Sequence, residues 1–301
     1  MKSQVYIVKT EERTSGLDIL FQTIKIPDLQ GKAVVIKPNF NSDDPFPATT
    51  NLETLEYVIN KIKAANPKSI TIVERSGMGD TQTVLKNRGV LDLADKYGVK
   101  IINLDKLPAE GWLKIKEPGN HWLQGFLVAK VIHDADYVVN LPCLKTHRFG
   151  GDFTLSLKNN VGAIAKWKPG GVPYNYMWEL HTARNQRLMI AEINKYIPVN
   201  LIVMDGLAGF ADKGPDVGKL IKPGLMLVSD DRVAIDAVGV AVLRLYGTTE
   251  KVTKGKIFDQ DQIKRAAQLG IGVSSPDKIE IVPLNQESKD IAAKIRQELQ
   301  K

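Results

Sequence analysis

The sequence predicts an α/β protein with a mostly parallel, multi-stranded sheet and helices on both faces. Short β-branched apolar runs alternate with stretches whose apolar residues repeat at helical spacing, as βα units do. At 301 residues and 43% hydrophobic, the chain can bury one large core. No fixed-period repeat and no long polar linker divides it, so residues 1–301 are expected to form a single domain.

Residues 1–8 read as a short strand. The run Ala33-Val-Val-Ile36 predicts the next, followed by a helix over 50–65 in which Leu52, Leu55, Val58, Ile59 and Ile62 share one face. Ser69–Val73 predicts a buried strand, with Asp80 or Thr81 capping the helix that carries Val84, Leu85, Leu91 and Ala94. Gly98 ends that helix, and Lys100–Leu104 resumes the sheet. Between 108 and 127 the periodicity fails among Trp112, Pro118, Gly119, Trp122 and Gly125, which predicts a hairpin-like excursion. Further strands are expected at Tyr137–Leu141, Leu201–Met204, Gly224–Val228 and Ile279–Val282. Residues 166–180, rich in Gly, Pro, Trp and Tyr, are expected to form a mobile loop. Helices are expected at Val233–Leu245 after an Asp230-Asp231 cap, at Asp261–Leu269, and at the end, where Ile291, Ile295 and Leu299 align.

Composition narrows the function. Cys143 is the single cysteine, which excludes an intramolecular disulfide and any cysteine-only metal cluster from this chain alone. No apolar run reaches membrane-spanning length and the start does not read as an export signal, so a cytoplasmic protein without a membrane partner is expected. A net charge of +7 favours anionic partners. The basic residues form no block, so a small anionic molecule is the expected partner and nucleic acid is not.

Ligands of parallel sheets sit beyond the carboxyl ends of the strands, so each strand is read at its exit. The first exit offers Lys37, Asn39 and Asn41 on one face as ligand-binding groups. The second offers Glu74 and Ser76 in Glu74-Arg75-Ser76-Gly77-Met78-Gly79; the glycines suit an approaching anion, or serve an ordinary turn. In Asn140-Leu-Pro-Cys-Leu-Lys-Thr-His147, Cys143, Lys145 and His147 share a face, though a lone cysteine also suits core packing. Lys158 and Asn159 follow within a few turns of chain. Two close lysines either hold a carboxylate or phosphate, or lower each other's pKa into the range of a useful base. Lys145, His147, Lys158 and Asp205 are therefore the catalytic candidates. Asp205 precedes Gly206 at an expected strand end with no capping duty, whereas Asp230 or Asp231 suits a cap. Glu74, His147 and Asp205 are the candidate ligands of a possible divalent metal.

Several of these stretches together resemble the domain of unknown function 362 family over roughly residues 30 to 245. They are Val34-Val-Ile-Lys-Pro-Asn39, Ala135–Pro142 leading into Leu144-Lys-Thr-His147, Ser156-Leu-Lys-Asn159 to Gly162, and Asp230–Gly239. Many relatives carry an attached ferredoxin-type cysteine cluster and are described as iron-sulfur proteins; this chain lacks those cysteines, so the resemblance implies no iron-sulfur cluster from this chain alone. A more distant similarity, to the nickel-pincer lactate racemase family, places Ala135-Asp136, His147 and Lys158 at a strand, a histidine and a cofactor-tethering lysine. The glycine- and arginine-rich run before that lysine is replaced by Asp152–Leu157.

The function expected is that of an enzyme acting on a small carboxylate or phosphate. The alternatives are a non-catalytic ligand-binding protein or a redox partner working with a ferredoxin-type protein, then a nickel-pincer-type racemase or a nucleic-acid binder.

Overall fold

In the computed structural model, residues 2–150, 152–170 and 173–301 are described. The strands are, in chain order, β1 (Ser3–Lys9), β2 (Ala33–Lys37), β3 (Ser69–Glu74), β4 (Lys100–Asn103), β5 (Trp112–Ile115), β6 (Phe126–Ala129) and β7 (Tyr137–Asn140). They continue as β8 (Cys143–His147), β9 (Asp152–Thr154), β10 (Val199–Phe210), β11 (Leu220–Ile221), β12 (Leu225–Ser229) and β13 (Ile279–Pro283). The main sheet runs in the order β13-β1-β12-β10-β7-β2-β3-β4. From β10 to β4 every neighbouring pair is parallel; β12 is antiparallel to both β1 and β10, so the sheet is mixed but mostly parallel.

Alternation along the strands sends side chains to two apolar layers. Val34 and Ile36 pack with the first helices, through Leu55, Val58, Ile59 and Ile62 of helix Leu52–Lys63. Val35, Val73 and Val138 face the opposite way, onto Trp122, Phe126, Met189 and Ile190. A third cluster surrounds helix Arg232–Leu245, in which every residue from Val233 to Leu243 is buried. A helix apolar all round is one enclosed by its own protein, and this one carries a single acid, Asp236.

Capping follows the sequence. Asp80 accepts from Thr83 N and Gly98 closes Val90–Tyr97 with a φ of 62°, but the single helix expected between them is two, Thr81–Asn87 and Val90–Tyr97, broken where Gly89 turns left-handed at a φ of 73°. The excursion is an antiparallel ribbon of β5 and β6, its return tightened at Gly125, where φ is 75°. Among the described residues no helix is long and apolar enough to cross a membrane.

Two further expectations need correcting. β10 does not stop at Met204: it runs to Phe210, pairing with β12 through Gly206 and with β8 through Asp205 and Phe210. Gly209 has Leu144 O against it with no space for a Cβ, so a small residue there lets the two strands stay together. The segment expected to be a mobile loop over 166–180 is only partly loop. Asn175 accepts from Met177 N and Trp178 N and starts helix Tyr176–Thr182, while Lys168 N donates to Tyr174 O across the preceding turn. Residues 171 and 172 of that segment lie outside the described residues.

Asp231 does more than cap. Oδ1 accepts from Val233 N and Ala234 N, at 2.8 and 2.9 Å, and Oδ2 accepts from Ser3 Oγ and Val273 N. One carboxylate thus ties the buried helix to β1 and to the segment before β13. Asp231→Ala is expected to lower unfolding free energy by about 2–3 kcal/mol, measured by urea denaturation, since it strands buried donors as well as removing the cap.

Candidate functional site

At the carboxyl ends of β2 and β3, beside β8, lies a cavity of about 100 Å³. Lys37, Asn39, Asn41, Glu74, Lys145, His147, Lys158 and Asn159 all line it. Register explains the convergence: Lys37 pairs with Asn140 at the tips of β2 and β7, and Glu74 ends β3 next door.

Lys37 and Glu74 form an ion pair at 2.6 Å with both side chains almost wholly buried. Glu74 is also held by Phe40 N at 2.7 Å and Arg75 N at 2.8 Å, while Lys37 Nζ donates to Pro38 O. A Cβ on Gly162 would stand 2.9 Å from both partners, so a residue without one lets the backbone close over the pair. Burial pulls the Lys37 pKa down, and Glu74 pulls it back up.

Amides carry the scaffold further inward. Asn39 Nδ2 donates to Asn159 Oδ1, Asn159 Nδ2 to Asn140 Oδ1, Asn140 Nδ2 to Asn160 Oδ1, and Asn160 Nδ2 to Asn194 Oδ1, over 2.6–3.0 Å. Such a chain has one low-energy arrangement, because each amide must both give and accept. It fixes Asn39, whose Oδ1 accepts from Lys145 Nζ at 3.1 Å; Ala48 O is the other acceptor for that ammonium.

Lys158 sits on helix Ser156–Asn159, a single turn that is anchored from beneath. Asp236 accepts from Ser156 N at 2.7 Å and Leu157 N at 3.1 Å. Burial pushes its pKa up to about 8, against the downward pull of those two donors. The acid inside the apolar helix is therefore the seat of the Lys158 turn.

Lys158 Nζ lies 3.0 Å from His147 Nε2. Burial, then the charges of Lys145 and Arg75, lower its pKa to about 7. Burial and Lys158 hold His147 well below its usual value, so the imidazole is neutral. With Nε2 accepting from Lys158, Nδ1 carries the hydrogen, and that buried atom has no partner among the described residues.

Two lining residues, Arg75 and His181, fall outside the candidates expected from the sequence. Arg75 is buried and donates to Ile164 O and Val161 O, while its Nη1 has no partner among the described residues. His181 Nδ1 is 2.6 Å from Met177 O, and its ring centroid is 6.4 Å from that of His147. The signal for Arg75 was its place right after Glu74 at a strand exit; His181 depends on a helix that composition disguised as loop.

Two candidates are not brought to the cavity. Ser76 is buried in the turn itself, Oγ donating to Phe40 O and N to Thr81 Oγ1. Asp205, within β10, binds Arg13 Nε at 2.6 Å and Thr54 Oγ1 at 2.9 Å, and is a structural ion pair. The proposed metal trio is thereby dispersed: Glu74 is saturated by Lys37 and two backbone donors, and Asp205 by Arg13. Among the described residues, no three His, Cys, Asp or Glu side chains gather as metal ligands. Cys143 is buried outside the cavity lining, burial raising its pKa to about 11. Nor does about 100 Å³ fit a tethered organometallic cofactor, since sites for larger ligands run to about 300–1,000 Å³.

Glu74→Gln should cost about 3–5 kcal/mol in urea denaturation, because Lys37 is left charged and unpaired in the interior. Lys158 gives the opposite sign. Folded, it loses its proton near pH 7, against 10.5 for the ordinary side chain, so between those values the unfolded chain holds more protons and stability rises with pH. Lys158→Met should therefore raise Tm most below about pH 7 and progressively less above it.

Thylakoid-associated protein sll1697 of Synechocystis sp. is 26% identical over 224 residues, 73% of this chain and 65% of that protein's length. The lactate racemase apoprotein of Thermoanaerobacterium thermosaccharolyticum superposes with a TM-score of 0.37 at 12% identity, covering 98% of this chain and 86% of its own. The model of the family described as Domain of unknown function (DUF362) matches residues 34–241, which include every residue lining the cavity, and the chain belongs to that family.

Proposed function

We propose that the protein is an enzyme acting on a small carboxylate- or phosphate-bearing molecule, with Lys158 and His147 as its proton-transfer pair. The observation that carries this reading is an imbalance of charge: three lysines and Arg75 line a cavity that has one carboxylate, Glu74, already paired to Lys37. Buried cations without counter-ions are destabilising, and a bound anion relieves them. Arg75 Nη1 and His147 Nδ1 add buried donors with no partner among the described residues, which is what an oxyanion would satisfy.

The volume limits the ligand to a few heavy atoms. Lys145, Arg75 and Lys158 would hold its charge, with Asn39 fixing Lys145. Lys37 contributes field more than contact, since Glu74 and Pro38 O occupy its ammonium. A group that changes protonation near neutrality, touching a neutral imidazole, can take a proton from the ligand and return it.

Calorimetric titration with inorganic phosphate and with small carboxylates tests the reading. Binding should weaken as pH rises through about 7 and Lys158 becomes neutral, and Lys158→Ala should reduce affinity by about 10–100-fold with the fold intact. Turnover using Lys158 as a base would instead grow with pH over that interval, so opposed profiles for binding and rate mark an enzyme, and binding alone marks a carrier. Absence of binding by every anion tried, or affinity indifferent to Lys158→Ala, would contradict the proposal.

A further inference from the structure

Among the described residues, the three cavity lysines differ in one respect. Lys37 is bound to Glu74 and Pro38 O, and Lys145 to Asn39 and Ala48 O, whereas Lys158 touches only a ring nitrogen. Its lone pair is thus the free one, and it lies in the same small cavity as two cationic groups able to take a carboxylate.

We propose that Lys158 is a nucleophile that forms an imine with a small 2-oxo acid, whose carboxylate is held by Arg75 and Lys145 while His147 shuttles protons at the carbonyl oxygen. This rests on the anion-site reading above and deepens it by naming the substrate class. Phosphate or a plain carboxylate would need cations alone; a neutral amine beside a neutral imidazole is what a carbonyl carbon needs. Desolvation, with Lys145 and Arg75 nearby, keeps a large fraction of Lys158 unprotonated near neutral pH, the same means by which lysine is activated for imine chemistry in general.

The step balances within the site. The Lys158 lone pair forms the C–N bond as the carbonyl π pair moves to oxygen. Both amine hydrogens then pass, by way of His147, to that oxygen, which leaves as water as the C=N bond closes. No oxidant or further reactant is needed. The unpaired Arg75 Nη1 supplies one donor to the carboxylate, and His181, neutral because burial lowers its pKa, faces the same space without adding charge.

Trapping tests it on the intact protein. Pyruvate or glyoxylate is incubated with the protein and cyanoborohydride, followed by intact-mass measurement and peptide mapping, with calorimetry run in parallel without reductant. The expected result is a saturable adduct on Lys158, heavier by the mass of the oxo acid less one oxygen, and lost in Lys158→Arg. Because that variant can fail to fold, the map of the parent protein decides. Binding of pyruvate, glyoxylate or phosphate with no adduct on Lys158 overturns the imine and leaves the anion reading standing. Failure of all three to bind overturns both, and adducts spread unsaturably over surface lysines overturn the imine alone.

Discussion

The structure depends on holding four cations, Lys37, Arg75, Lys145 and Lys158, around a cavity whose described lining includes one carboxylate, Glu74. Charges in the interior lose several kcal/mol of solvation each, and only pairing, hydrogen bonding or neutralisation recovers it. Each means is in use. Lys37 is paired, Arg75 and Lys145 are bound to carbonyl and amide oxygens, and Lys158 is brought close to neutrality. The asparagine chain and the Asp236 seat beneath Lys158 are the rest of the same solution, since they fix the acceptors on which it relies.

Such an arrangement opposes stability and is therefore informative about function. An apolar interior at the same place would pack more simply. A cluster whose donors at Arg75 Nη1 and His147 Nδ1 find no partner among the described residues, next to open volume, has its natural complement in a ligand. The glycine at 162 and the short turn carrying Lys158 show the backbone itself shaped around the pair below it.

Much of this was legible in the chain. β2, β3 and β7 announce themselves by β-branched runs, and parallel strands put their exits together, so Lys37, Glu74 and the Lys145–His147 strand could be assigned to one place. Asp205 could not be placed, because whether β10 stops or continues depends on Gly206 and Gly209 meeting β12 and β8, partners remote in sequence. Arg13, its counter-ion, lies 192 residues away. His181 was hidden for a different reason: aromatic and glycine-rich composition concealed a helix that begins at Asn175. The asparagines looked like turn residues individually, and only folding joins them into a chain.

Lys158 is buried among cations with no acid beside it among the described residues, and so titrates near neutrality. Side-chain NMR of ¹³C-labelled lysine, assigned through Lys158→Arg, measures this directly. A midpoint near pH 7, moving upward when phosphate is added, is expected. A midpoint near the ordinary 10.5, unmoved by any anion, would contradict it.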